Sequence, residues 1–182
     1  MHAKWTTLRI AGVIGAAIVV SLAVGLPAQR RSAAVNAFAQ AGEPRGASTV
    51  QELLGAQTPE MDLGRADRTV VIFLSPGCYY CLEGASLYQA IGQLRGGMPR
   101  ALQIVVAGRE PAAYLRTFAD RYGLSPDQVV SAQGTRVRMI PTIVVANGAG
   151  VIERMWAGEQ VGSRGTAVLS YMRSATQSGG KP

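Results

Sequence analysis

The sequence predicts an α/β domain, a central mixed sheet flanked by helices, preceded by an N-terminal transmembrane helix. Three observations carry this expectation. Short β-branched, apolar runs at 69–75, 101–108 and 142–148 alternate with stretches of helical spacing, the pattern of βα units. Asn147-Gly148 separates the third run from another strand-like segment and signals a hairpin, so part of the sheet is antiparallel. Residues 10–26, IAGVIGAAIVVSLAVGL, carry no charge at all.

The N-terminal segment comes first in the chain. The uncharged run from Ile10 to Gln29 is 20 residues long, and a bilayer core of ~30 Å needs about 20 helical residues. Residues 1–29 therefore read as a membrane anchor or, alternatively, as a signal peptide. A small-x-small site at Ala37-Phe38-Ala39 lies well past the apolar run, which favours an uncleaved anchor. Lys4 and Arg9 on one side nearly balance Arg30 and Arg31 on the other, so charge alone does not orient the span. N-terminal anchors of this shape usually leave the following domain outside the cytoplasm. The expectation is an inner-membrane protein with its domain in the periplasm, or a periplasmic one if the segment is cleaved.

Residues 30–47 are rich in Ala, Gly, Pro, Gln and Arg and read as a linker. The domain is expected over 48–176. STVQELLG opens it with Thr49 as N-cap, Glu52 three residues on and Gly55 as a stop, which predicts a short helix. QTPEMDLGRADR is turn-rich. TVVIFLS, 69–75, suits a strand buried on both faces. From Cys78 to about Arg95 the spacing of Leu82, Ala85, Leu87, Ala90, Ile91 and Leu94 predicts one helix, with Gly96-Gly97 ending it. ALQIVVAG, 101–108, is a second buried strand. A helix over 109–123 follows, with Pro111 near its first turn and Gly123 at its end. Tyr114, Leu115, Phe118 and Tyr122 form its apolar stripe and read as core. Residues 124–141 are ambiguous and are assigned a short strand at Val129-Val130 and then a helical turn. TIVVANG and GVIERMWAG make the hairpin, and 163–176 a closing helix. Residues 177–182 read as a flexible tail. The order gives a β-α-β unit followed by a β-β-α unit.

The net charge is +7, and removing the acid-free first 41 residues leaves +3 on the rest. The arginines are scattered rather than clustered with aromatics, which argues against a nucleic-acid binder.

The chemistry-bearing stretch is SPGCYYCLEG, 75–84, which holds both cysteines of the chain. Cys78 and Cys81 fall within one helical turn, close enough for disulfide geometry. They sit where a strand ends and a helix begins, and the free N–H groups there stabilise a thiolate, the reactive form of cysteine. Pro76 and Gly77 add no bulk over Cys78. Cys81, one turn inward, would attack a mixed disulfide and release the partner. Zinc wants four ligands, and the chain has no third cysteine and only His2 as histidine; no metal or other cofactor is expected. An inert disulfide around so short a loop would constrain little. Ser75 also makes a Ser-x-x-Cys pattern, a weak peroxidatic signal. In RMIPT, 138–142, Pro141 opens a core strand without a donor to the ladder, and the bond before it is a candidate for the cis form.

With VVIFLSPGCYYC, MIPTIVVANGAGVIERMWAG and this element order, the sequence resembles the thioredoxin superfamily over about residues 48–175. The resemblance implies a thioredoxin-like fold in which Pro141 is cis and lies beside Cys78, and Ile140 pairs its backbone with an extended substrate segment. The long spacing between Cys81 and Pro141 accommodates an extra strand–helix insertion, LQIVVAGREPAAYLRTFADRYG. In this the chain looks like the membrane-anchored TlpA/ResA-like branch, whose members reduce disulfides in partner proteins. That implies protein disulfide substrates and a membrane electron donor or acceptor as partners.

The sequence departs from that family in places. Gly77 stands where a Trp usually precedes the first cysteine, Tyr79-Tyr80 form the middle dipeptide, and Ile72 occupies a strand position that often carries a buried acid. Glu83 is the nearest acid and reads as a solvated carboxylate. Tyr79 and Tyr80 either frame a docking surface or divide between packing and exposure. Trp156 reads as packing. The departures leave a second function open, a non-catalytic binding or assembly module of an envelope complex on the same fold.

Overall fold

A computed structural model describes residues 49–98 and 101–178. The expected anchor at 1–29, the membrane contact at 10–29 and the linker at 30–47 lie outside the described residues. Among the described residues no helix is long and apolar enough to cross a membrane.

The elements run α1 (Val50–Leu54), β1 (Arg68–Phe73), α2 (Tyr79–Glu83), α3 (Ala85–Gly97), β2 (Leu102–Gly108), α4 (Ala112–Arg121), β3 (Gln128–Ser131), β4 (Thr142–Asn147), β5 (Ile152–Ala157) and α5 (Ser163–Ser178). The five strands make one sheet in the order β3-β2-β1-β4-β5. β1, β2 and β3 are mutually parallel, β4 runs antiparallel to β1, and β5 runs antiparallel to β4. This is the mixed sheet, parallel in one part and antiparallel in the other, that the β-α-β and β-β-α units lead one to expect.

Local chemistry starts and stops the elements as the residues require. The Thr49 hydroxyl accepts from the Glu52 N–H and the Glu52 carboxylate answers to the Thr49 N–H, closing a capping box. At the hairpin, Asn147 Oδ1 accepts from the N–H groups of Ala149 and Val151 at 3.0 and 3.1 Å, the local bonding that suits Asn to turns.

Alternation along β1 divides the core in two. Val70 and Ile72, with Leu74 just beyond the strand, join Ile104, Val106, Ile143 and Val145 under the helices, against Leu87, Tyr88 and Ile91 of α3, Leu115 and Phe118 of α4 and Val168 and Met172 of α5. Val71 and Phe73 face the other way, onto Val105, Ala107, Val144, Ala146, and Val50, Leu53 and Leu54 of α1. The central strand is thus covered on both faces, which is why it reads as an unbroken apolar run. Burying each such side chain contributes roughly 1.5–3 kcal/mol. Two buried polar side chains of the sheet answer each other: Thr69 donates to Gln103 Oε1 at 3.1 Å across the β1–β2 ladder, and Gln103 Nε2 donates to the Asp62 carbonyl at 3.0 Å.

Four expectations need correction. The segment from Cys78 to Arg95 is two helices, not one. Gly84 joins them with ψ 0°, and its missing Cβ leaves room for Tyr88, whose Cζ and Oη lie 2.9 Å from where that Cβ would be. Tyr114 is exposed, at 58% of its surface, although Leu115 and Phe118 of the same stripe are buried; the stripe is narrower than spacing alone suggests. A turn at Gln133-Gly134, not a helical one, follows β3. The last helix continues to Ser178, two residues into the segment expected to be tail.

Two glycines of α3 separate steric need from tolerance. A Cβ at Gly92 would stand 2.1 Å from the carbonyl oxygen of Gly123, whereas one at Gly96 would meet nothing within 4 Å. In urea denaturation, Gly92→Ala is expected to lower stability by about 1–3 kcal/mol through overpacking. Gly96→Ala is expected to hold or raise it, by up to about 1 kcal/mol from helix propensity.

Candidate active site

The parallel strands β1 and β2 end at the same edge of the sheet, and the residues beyond those ends build the site. Phe73 is the last residue of β1 and pairs with Thr142, the first of β4. That rung brings the turn after β1 against the segment before β4. Ser75-Pro76-Gly77-Cys78 then reverses the chain, with the Cys78 N–H donating to the Ser75 carbonyl at 3.0 Å. Proline second and glycine third are what a tight turn favours.

Cys78 is the N-cap of α2. Its sulfur accepts the Cys81 N–H at 3.3 Å. Its S–H donates to the Ile140 carbonyl at 3.6 Å, across 62 residues of sequence. Cys78 is half-buried and Cys81 is fully buried, and both are free thiols. Burial pushes the Cys81 thiol far up, the hydrogen bond with Cys78 raises it further, and the Ser75 backbone works in the other direction. One motif therefore holds two different thiols, one facing out with its sulfur solvated by a backbone N–H, the other kept protonated inside.

The Ile140–Pro141 peptide bond is cis. Pro141 is buried and its carbonyl accepts the Gly158 N–H at 2.8 Å, while Ile140 is half-buried against both cores. Thr142 Oγ1 donates to the Met139 carbonyl at 2.6 Å. The loop is thus fixed from both sides of the proline, with the Ile140 carbonyl aimed at the first cysteine.

Tyr79 and Tyr80 are both exposed, at 66% and 50%, so neither packs into the domain. Their rings meet edge to face at 5.5 Å. With Leu82, also exposed, they form an apolar patch on the helix that starts at Cys78. Trp156 is half-buried with its ring 5.5 Å from that of Tyr171, a packing role. Glu83 is exposed, and its charge raises the Tyr79 phenol.

The acid that meets the cysteine turn is one the sequence reading passed over. Glu110 follows β2, and Ser75 Oγ donates to its Oε1. Its charge reaches Cys81 and helps to raise that thiol. The available signal was positional: it is the first acid beyond the carboxyl end of a central parallel strand, where open α/β sheets hold their ligands. A cavity of about 150 Å³ adjoins it, lined among others by Ser75, Gly108, Arg109, Glu110, Arg138 and Ile140.

The state of Cys81 links the site to stability. Its folded-state pKa lies above that of an unfolded thiol, about 8.5. The folded form therefore keeps the proton while the unfolded chain loses it, and stability falls as pH rises past that value. Tyr88, raised by burial in the same sense, adds to the loss above about pH 10. Urea titrations of the reduced chain are expected to show unfolding free energy dropping between about pH 8.5 and 10, by up to 1.4 kcal/mol per unit. Cys81→Ala should flatten the curve in that window.

No protein-family model matches the chain, and no curated protein matches it. Solved structures to which it is similar include an uncharacterised thioredoxin-like protein from Porphyromonas gingivalis, at 16% identity over 63% of this chain and 79% of that one, with a TM-score of 0.49. A secreted Mycobacterium tuberculosis disulfide oxidoreductase homologous to DsbE of E. coli is 16% identical over 59% of this chain and 81% of that one, with a TM-score of 0.47. StoA from Bacillus subtilis is 14% identical over 59% and 83%, with a TM-score of 0.45.

Proposed function

We propose that the chain is a thiol–disulfide oxidoreductase of the thioredoxin superfamily, of the TlpA/ResA-like branch. The observation that carries this reading is the contrast between its two cysteines. Cys78 is reachable and its sulfur accepts a backbone N–H, while Cys81 sits buried directly behind it.

In this reading the Cys78 thiolate attacks a disulfide of a partner protein. One partner sulfur leaves as a thiolate and a mixed disulfide forms. Cys81 then attacks Cys78, the second partner sulfur leaves, and the chain keeps a Cys78–Cys81 disulfide. Two electrons pass to the partner, so the chain acts as a reductant and is itself recharged by a membrane electron donor. Ile140 and Pro141 hold the extended segment of the partner next to Cys78, and Tyr79 and Tyr80 frame its docking surface. The Ile140 carbonyl, already bonded to the Cys78 sulfur, supports this placement. Residues 10–29 anchor the chain in the inner membrane, with the domain in the periplasm. An assembly module without exchange chemistry would have no use for an accessible thiol backed by a buried one.

Turnover in an insulin-reduction assay tests the reading. Cys78→Ser is expected to abolish it. Cys81→Ser is expected to accumulate mixed disulfides on non-reducing gels. Wild-type turnover by the Cys78→Ser chain would refute the assignment.

A further inference from the structure

One rung of the sheet lies directly under the site. Ala107 of β2, Phe73 of β1, Thr142 of β4 and Ala157 of β5 stand side by side across four strands. Arg109 follows Ala107 by two residues and Glu159 follows Ala157 by two, so opposite charges leave the two ends of that rung. Neighbouring strands lie about 4.8 Å apart, which separates the two strand ends by roughly 14 Å. The cysteine turn and the Ile140–Pro141 loop occupy the space between them.

Each end has a second charge of the same sign. Arg138 lines the cavity of about 150 Å³ together with Arg109. The charges of Glu83 and Glu159 both reach the Tyr79 phenol, that of Glu83 the more strongly. All four charged residues are exposed, and none of them forms an ion pair with another described residue. Glu110 shares the cavity wall with the arginines. Its Oε1 takes the Ser75 hydroxyl and its Oε2 is buried, which leaves the arginines as the charges a visitor meets. At the other end Tyr79 adds an exposed ring, a surface that attracts a cation.

The chain itself draws the line along which a partner segment lies. From Arg138 at the cavity it runs through Ile140, whose carbonyl meets the Cys78 sulfur, to Pro141, whose carbonyl accepts the N–H of Gly158, the neighbour of Glu159. A strand laid along residues 138–140 has one end at the arginines and the other at the glutamates. Antiparallel pairing is the more stable direction, and it sets the partner's N-terminal side at the glutamates. A span of roughly 14 Å is about four extended residues, and residues two before and two after a cysteine share its face of a strand.

We propose that this face selects the partner's disulfide segment by charge, taking a basic side chain two residues before the reacting cysteine on Glu83, Glu159 and Tyr79, and an acidic one two residues after it on Arg109 and Arg138. The inference rests on the exchange reading above and adds which segments enter the site.

Two synthetic peptides test it, each with a single cysteine held as its thionitrobenzoate disulfide. The first carries Lys two residues before the cysteine and Glu two after; the second exchanges them. Attack by Cys78 on the peptide sulfur breaks the bond to thionitrobenzoate, the better leaving group, and its coloured thiolate reports the rate with the reduced full chain. The first peptide is expected to react about 10-fold faster at low salt, in the range for a few exposed charge contacts, and the gap should close at high salt. Taking the ratio of the two peptides in one chain cancels any change in Cys78 itself. Glu83→Gln with Glu159→Gln, and separately Arg109→Gln with Arg138→Gln, should each cut the ratio to about 3-fold, since each removes one set of contacts. The two pairs lie on different elements, so a variant that fails to fold leaves the other as the check. Equal rates for the two peptides in the wild-type chain, or a faster second peptide, would overturn the proposal. So would a ratio that stays unchanged in both neutralised chains. A wild-type chain that releases thionitrobenzoate no faster than Cys78→Ser from either peptide would instead bring down the exchange reading, and this inference with it.

Discussion

Everything at the candidate site depends on the antiparallel pairing of β1 with β4. The last rung, Phe73 to Thr142, is what sets the cysteine turn against Ile140. Register in a sheet is all or nothing, because a slip of one residue turns every side chain to the opposite face. Here β1 is central and buried on both sides, so a slip would exchange the residues of two separate cores at once. The accuracy with which a sulfur meets a carbonyl 62 residues away is therefore underwritten by apolar packing far from any chemistry.

That frame then treats two identical side chains differently. Cys78 lies outside the last rung, at the first helical N–H groups, and keeps contact with solvent. Cys81 is one turn on and points into the cluster of Ile72, Leu74, Leu87 and Tyr88. Placement alone separates an exposed sulfur from a buried thiol. The same edge of the sheet supplies Glu110 from the end of β2 and Ile140 from the start of β4. Three chain segments distant in sequence thus converge where two parallel strands stop, leaving the tyrosines of α2 to face outward.

Much of this was legible before the structure, for local reasons. The capping box at Thr49 and Glu52, the turn at Asn147-Gly148 and the β-branched runs each act over a few residues. The cysteine spacing named Cys78 and Cys81, and the resemblance to a known family added Ile140 and Pro141; Cys78 and Ile140 are joined directly. What was not legible depends on tertiary placement. The break at Gly84 follows from where the Tyr88 ring lies, the exposure of Tyr114 from how closely α4 meets the sheet, and the place of Glu110 from two strands ending side by side. No local pattern marks Glu110 as different from Glu83, yet one meets the cysteine turn and the other meets solvent.

The central claim is the division between an open first thiol and a closed second one. Brief alkylation of the reduced, folded chain with iodoacetamide at neutral pH, read residue by residue by mass spectrometry, tests it most directly. The account predicts that Cys78 is labelled while Cys81 is left intact until the chain is unfolded. Equal labelling of the two, or faster labelling of Cys81, would contradict it.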